Sequence, residues 1–186
     1  MTTQTPDISH KSGFKPILRK IINMKSIKET RTKVLMVLGL SFGLMVSTVA
    51  SGYVEETRAL AEKGDVKSQE TMGLLYKNGI DVDKNYHEAF KWFERAANQG
   101  DISSQIVMGY MYGEGQGVRQ NDKKAFEWTQ KAANKGDAFA QIRLGLFYEY
   151  GIGVRLDKTQ AKEWYGKSCD NGDQNGCDYY RKLNRK

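Results

Sequence analysis

Two stripes of apolar and small residues alternate along most of this chain. In the first, Gln69, Met72, Gly73 and Tyr76 stand at i, i+3, i+4 and i+7, the spacing that gathers side chains on one face of a helix. The stripe stops at Gly79. A second begins near Asn85, a side chain suited to an N-cap. It puts Ala89, Trp92 and Ala96 on an inner face and ends at Gly100, placed for a left-handed C-cap. The pattern predicts two helices joined by a glycine-bearing turn. A glycine inside the first helix weakens it by about 1 kcal/mol. In return it permits the close approach of a neighbouring helix, because no side chain intervenes.

The unit recurs. Gly64–Asp65, Gly100–Asp101, Gly136–Asp137 and Gly172–Asp173 follow one another at intervals of 36 residues. At the same period come Gln69, Gln105 and Gln141; Gly73, Gly109 and Gly145; Tyr76, Tyr112 and Tyr148; and the turn residues Gly79, Gly115 and Gly151. All three tryptophans, Trp92, Trp128 and Trp164, occupy one position of the unit. A fixed period of this length is the signature of a repeat architecture, in which each unit buries its apolar face only against its neighbours. The fold class expected is all-α: a solenoid of antiparallel helix pairs.

The motifs MGYMY, GQGV and KAFEWTQKAANKGD, running from Met108 to Asp137, resemble the Sel-1-like repeat, a relative of the tetratricopeptide repeat. The resemblance covers residues 64–172 in three units, 64–99, 100–135 and 136–171. Unit one departs at Asp81, where the others have Gly117 and Gly153; unit three has Ser168–Cys169 in place of two alanines. Residues 51–63 read as a partial capping helix and residues 173–186 as a closing helix with a basic tail, since both ends of a solenoid need caps. The stretch SCDNGDQNGC, which holds both cysteines, is similar to the cysteine-bearing secreted members of the family. That likeness implies a disulfide between Cys169 and Cys177, and a disulfide implies an oxidising compartment.

Residues 34–46, VLMVLGLSFGLMV, carry no charge. The run is short for a membrane span and suited to the apolar segment of a signal peptide. Lys25, Lys28, Arg31 and Lys33 precede it, and Ser47–Thr48–Val49–Ala50 follows with small residues. The reading is a signal peptide over 24–50, cut after Ala50, and a periplasmic or secreted product. The alternative is an uncleaved inner-membrane anchor facing the periplasm. Translation from Met24 would make residues 1–23 a non-native extension; otherwise they are a cytoplasmic one.

Charge then changes the picture. The whole chain is +7, but the first 50 residues hold eight Lys/Arg against two acids, leaving the repeats close to neutral. A phosphate-binding surface needs a local excess of positive charge, so nucleic acid is not an expected partner. Catalysis is not expected either. The repeats contain one histidine, His87, and Lys91 stands where a helical zinc motif would need a second. No Ser, Thr or Cys has a base partner in view, and the glycine turns do not follow strands. No cofactor and no metal is therefore assigned.

What remains is binding. Opposite the buried faces of the first helices stand Lys67, Thr71, Leu74 and Asn78, then Ser103, Val107, Tyr110 and Glu114, then Phe139, Arg143, Leu146 and Tyr150. Aromatic residues with an arginine among them suit a binding hot spot. The expected site, on the concave face of the array, is Leu74, Tyr110, Glu114, Phe139, Arg143, Leu146 and Tyr150, and the expected partner is another protein met by a monomer. The membrane is expected to be touched only transiently, by the signal segment. Two alternatives stay open: a periplasmic immunity protein or inhibitor that neutralises a toxic effector, and a cell-wall or β-lactam-related enzyme. Within the repeats the enzyme reading lacks the Ser-x-x-Lys signature.

Overall fold

The computed structural model describes residues 52–185; the expected signal peptide over 24–50 and the extension 1–23 lie outside them. The described residues form helices without strands: α1 (52–62), α2 (Val66–Asn78), α3 (Tyr86–Asn98), α4 (Ile102–Glu114), α5 (Asp122–Asn134), α6 (Ala138–Tyr150), α7 (Lys158–Asp170) and α8 (Gln174–Asn184). The six helices α2 to α7 are each 13 residues long. From α2 to α8 each helix packs on the next in sequence, α6 also meets α8, and Val54 and Ala61 of α1 cluster with Met72 and Leu75 of α2. The core is thus built from neighbour to neighbour, as in a solenoid.

Caps set the phase of the repeat. The Asp of each Gly–Asp pair accepts a hydrogen bond from a backbone N–H in the first turn of the next helix: Asp65 from Ser68, Asp101 from Ser104 and Asp137 from Ala140, all at 2.7 Å. Asn85, Asn121 and Asp157 cap the second helices in the same way. Each satisfies N–H groups that the helix itself leaves open.

The interior follows the two stripes. Trp92, Trp128 and Trp164 are buried, as are Ala89, Ala96, Ala125, Ala132 and Ala161. A basic residue one turn further on lies over each indole: Arg95, Lys131 and Lys167, with the two lysine nitrogens 3.6 and 3.8 Å from the ring centroids. The helix-pair contact depends on the mid-helix glycines. A Cβ on Gly73 would fall 2.8 Å from the Phe93 ring, on Gly109 2.6 Å from the Thr129 hydroxyl, and on Gly145 2.4 Å from the Tyr165 ring. Those three partners share one repeat position and Phe93, Thr129 and Tyr165 are all buried, so the glycine is what admits them.

A buried hydrogen bond ties successive units. The amide of Gln69 donates to the Ala61 carbonyl at 3.0 Å, Gln105 to Ala97 at 3.1 Å and Gln141 to Ala133 at 3.2 Å. Each pair is eight residues apart. In the fourth position Cys177 replaces the glutamine and Cys169 the alanine, and they are joined by a disulfide, Cα atoms 4.5 Å apart and again eight residues apart in sequence. At the joint between α7 and α8 a covalent bond takes the place of a hydrogen bond.

The turn departure at position 81 also has a structural counterpart. Gly117 and Gly153 have φ of 68° and 66°, and a Cβ there would lie 2.1 Å from the Tyr86 carbonyl oxygen and 2.2 Å from that of Asp122. Asp81 adopts the same left-handed backbone, φ 56°, with a side chain. Its neighbour one unit back would be residue 50, outside the described residues.

Candidate functional site

The expected face is formed by the exposed sides of α2, α4 and α6. Phe139 and Tyr150 are 45% and 61% exposed and Leu74 and Tyr110 39% each, high for large apolar side chains. Glu114 is exposed, and Arg143 and Leu146 are half-buried.

Four of the seven residues meet in one groove. Tyr110 of α4 stacks on Phe139 of α6, ring centroids 6.2 Å apart and planes at 23°. The guanidinium of Arg143, one turn beyond Phe139, lies 3.4 Å above the Tyr110 ring and 5.8 Å from that of Phe147. Leu146 packs against the buried cluster of Ile142, Ala161 and Tyr165. Around these side chains lies a cavity of about 410 Å³. Leu74, Glu114 and Tyr150 belong to the same helices but not to the lining of this groove.

The sequence reading missed the other side. Ile142, Phe147 and Ile152 complete the floor, and Asn175 and Tyr179 of α8 form the far wall. A signal for the wall was available: Asn175 and Tyr179 stand one period after Phe139 and Arg143. Treating residues 174–184 only as a closing helix concealed it. The wall is held from behind by packing of Tyr179, Tyr180 and Leu183 on the Ile142–Ala161–Tyr165 cluster and by the stacking of Tyr179 on Tyr165 at 5.0 Å. Tyr165 in turn donates to Glu149 at 2.7 Å, and its burial with that carboxylate nearby keeps the phenol well above its usual range. It acts as a fixed, neutral anchor for α8.

Electrostatics single out one side chain. Nη1 of Arg143 is buried and has no hydrogen-bond partner among the described residues. The ion pairs among the described residues are Arg58–Glu55, Lys67–Glu70, Lys91–Glu88 and Arg181–Asp178, all one helical turn apart. Arg143 enters none of them. Among the described residues there is also no group of three or more His, Cys, Asp or Glu that could hold a metal ion. His87 is exposed, its Nδ1 3.2 Å from the Gly117 carbonyl oxygen. No described helix is long and apolar enough to cross a membrane. The paired cysteines fit an oxidising environment.

The geometry has close counterparts among known proteins. Residues 66–101, 102–137 and 138–173 each match the Sel1 repeat, starting at the first residue of α2, α4 and α6 respectively. The protective antigen c5321 of uropathogenic Escherichia coli, described as displaying an SLR fold, is 35% identical with a TM-score of 0.66 over 68% of this chain. This chain spans only 27% of that antigen's length. A Sel1 repeat protein from Oxalobacter formigenes is also 35% identical, TM-score 0.64, over 69% of this chain and 96% of its own. Helicobacter pylori cysteine rich protein B, at 20% identity and TM-score 0.56 over 72% and 96% of the two chains, shares the fold. No curated protein matches the chain. Sel1-like repeats typically act as scaffolds for protein–protein interaction and are generally not enzymes. With three matched repeats covering more than half of its residues, the chain belongs to the Sel1 repeat family.

Proposed function

We propose that this protein is an exported scaffold that binds another protein through the free face of its first helices, the face expected to be concave. The observation that carries the reading is the groove between α4, α6 and α8, in which Tyr110, Phe139, Leu146 and Tyr179 line the same cavity as Arg143, whose Nη1 has no hydrogen-bond partner among the described residues. Large aromatic side chains around an arginine supply contact area at low entropic cost and dominate protein interfaces. Leu74, Glu114 and Tyr150 extend the same face beyond the groove. Export is supported by the basic–apolar–small order of residues 25–50 and by the cysteine pair.

The experiment is capture of partners from periplasmic extract by the protein and by Tyr110→Ala, Leu146→Ala and Tyr150→Ala variants, each checked for fold by circular dichroism. A specific partner retained by the unaltered protein and lost from Tyr110→Ala or Leu146→Ala supports the reading. Equal retention by all folded variants refutes it and moves the binding surface elsewhere, for instance to the charged second helices around Lys123, Lys124 and Glu127. Recovery of the protein from the cytoplasm alone refutes export.

A further inference from the structure

We infer that the groove reads a carboxylate: its occupant is an internal segment of a partner protein in which an Asp or Glu side chain stands beside an apolar or aromatic one. The inference rests on the reading that this face binds protein, and it names the chemistry of what is bound.

The guanidinium is the reason. An arginine offers five N–H donors and no acceptor, and leaving one of them buried without a partner costs free energy. Nη1 of Arg143 is in that state, and no acid of the described residues is paired with it. Stacking on Tyr110 at 3.4 Å covers one face of the guanidinium, so an acceptor meets it in its plane, where the N–H groups lie. A planar carboxylate matches that edge, and bonds between two charged groups are stronger than neutral ones, more so among apolar walls. The solenoid does not require this residue: the same position holds Thr71 in unit one and Val107 in unit two.

The surroundings define the rest. A cavity of about 410 Å³ takes a few side chains and not a folded domain. Phe139, Ile142 and Leu146 offer apolar contact to a residue adjoining the acid. The lining runs from Phe139, in the first turn of α6, to Ile152, just past its end, with Arg143 between them. A chain following α6 therefore has groove on both sides of the arginine, which fits an internal acid better than a chain end. Asn175 on the far wall can donate to or accept from the segment's backbone.

The test is selection on the full chain from a display library of random short peptides whose carboxyl ends are fused to the carrier. The expected outcome is enrichment of sequences with Asp or Glu within two residues of an aromatic or aliphatic residue. For a resynthesised binder, Asp→Asn or Glu→Gln in the peptide should weaken binding about tenfold or more. Arg143→Met should do the same, and the two changes together should cost little beyond either alone. Arg143→Met keeps an unbranched aliphatic side chain, and its melting temperature shows whether it folds; Arg143→Lys, which retains charge without the fork, should be intermediate. Binders that ignore acids, or that bind Arg143→Met equally, overturn the carboxylate reading but leave the scaffold standing provided Tyr110→Ala still weakens them. Binding only to peptides with a free carboxyl end replaces the internal acid by a chain terminus and overturns the proposal as stated. Absence of any enriched sequence sensitive to Tyr110→Ala or Leu146→Ala overturns both the carboxylate reading and the choice of face.

Discussion

Changing Cys169 and Cys177 together to alanine removes the disulfide that ties α8, the last of the described helices, to α7. The bond closes a loop between cysteines eight residues apart, and the chain-entropy relation assigns such a loop about 2.5 kcal/mol. The repeat itself supplies a second variant. In the three preceding units the same joint is a glutamine amide bonded to an alanine carbonyl, so Cys169→Ala with Cys177→Gln should rebuild that hydrogen bond. A buried hydrogen bond contributes about 1 kcal/mol net. The order of stability should be oxidised protein, then Ala/Gln, then Ala/Ala, with steps of roughly 1.5 and 1 kcal/mol. Because the end of a solenoid opens locally, the loss should appear first as faster amide exchange in residues 174–184 and then in a urea melt. Adding reductant should bring the oxidised protein toward Ala/Ala and leave both variants unchanged. If Ala/Ala melts and exchanges like the oxidised protein, the disulfide does not hold α8. If Ala/Gln is no better than Ala/Ala, the equivalence of the cysteine pair to the Gln–Ala joint is wrong. Since α8 carries Asn175 and Tyr179, partner binding should weaken along with the protection of that helix.

Five further changes probe other parts of the reasoning. Gly145→Ala brings a Cβ to 2.4 Å from the buried Tyr165 ring; the gain of about 1 kcal/mol in helix propensity should be outweighed by overpacking of about 1–3 kcal/mol, and an unchanged or higher melting temperature would contradict the close-approach role. Asp81→Gly relieves a left-handed backbone and should stabilise by up to about 1 kcal/mol in a urea melt; destabilisation would mean that the aspartate side chain compensates for its backbone. Trp128→Ala should cost about 3–5 kcal/mol, whereas Tyr150→Ala, 61% exposed, should leave the melt nearly intact; a large loss from Tyr150→Ala would make it a core residue. Asp65 accepts hydrogen bonds from Ser68, which hold its folded pKa below the ordinary 3.8. Its contribution is therefore present above the unfolded value and lost as pH falls through the lower folded one. Asp65→Asn, a competent cap that does not titrate, should flatten the acid limb of a stability–pH curve, and an unaltered limb would show that this cap does not titrate with folding.

Much of the fold was legible because a solenoid writes its packing into sequence once per unit. Gly73, Gly109 and Gly145 announced a close helix contact, although only coordinates could name Phe93, Thr129 and Tyr165 as the groups admitted. The aspartates of the Gly–Asp pairs were visible as a period and not as N-caps, because capping depends on which N–H lies within reach. The groove was half legible. Tyr110, Phe139, Arg143 and Leu146 could be placed on an outward face from helical spacing alone. Their union could not, since it arises from a stack between α4 and α6 and from a wall on α8. Leu74 was grouped with them by the same periodic argument, yet α2 lies at the other end of the array from that wall.

The two kinds of position in this chain therefore carry different information. Where the units agree, as at Gln69, Gln105 and Gln141 or at the three tryptophans, the residue answers a demand that every joint of the array makes. Such agreement identifies architecture and is mute about a partner. Where the units disagree on the free face, packing makes no common demand. Lys67, Ser103, Phe139 and Asn175 succeed one another at one position, and Thr71, Val107, Arg143 and Tyr179 at another. In unit three both positions become large and one becomes charged. There the cavity opens, and there a buried guanidinium nitrogen lacks a partner among the described residues. A cation so placed brings the solenoid no pairing within the described residues, so its benefit is to be sought in what the groove receives. The disulfide lies at the next joint and secures the helix that forms the groove's far wall. The free-face residues of the groove and the disulfide thus lie on neighbouring helices, α6 to α8, and that is where specificity for a partner should be altered by mutation with the least disturbance to the fold.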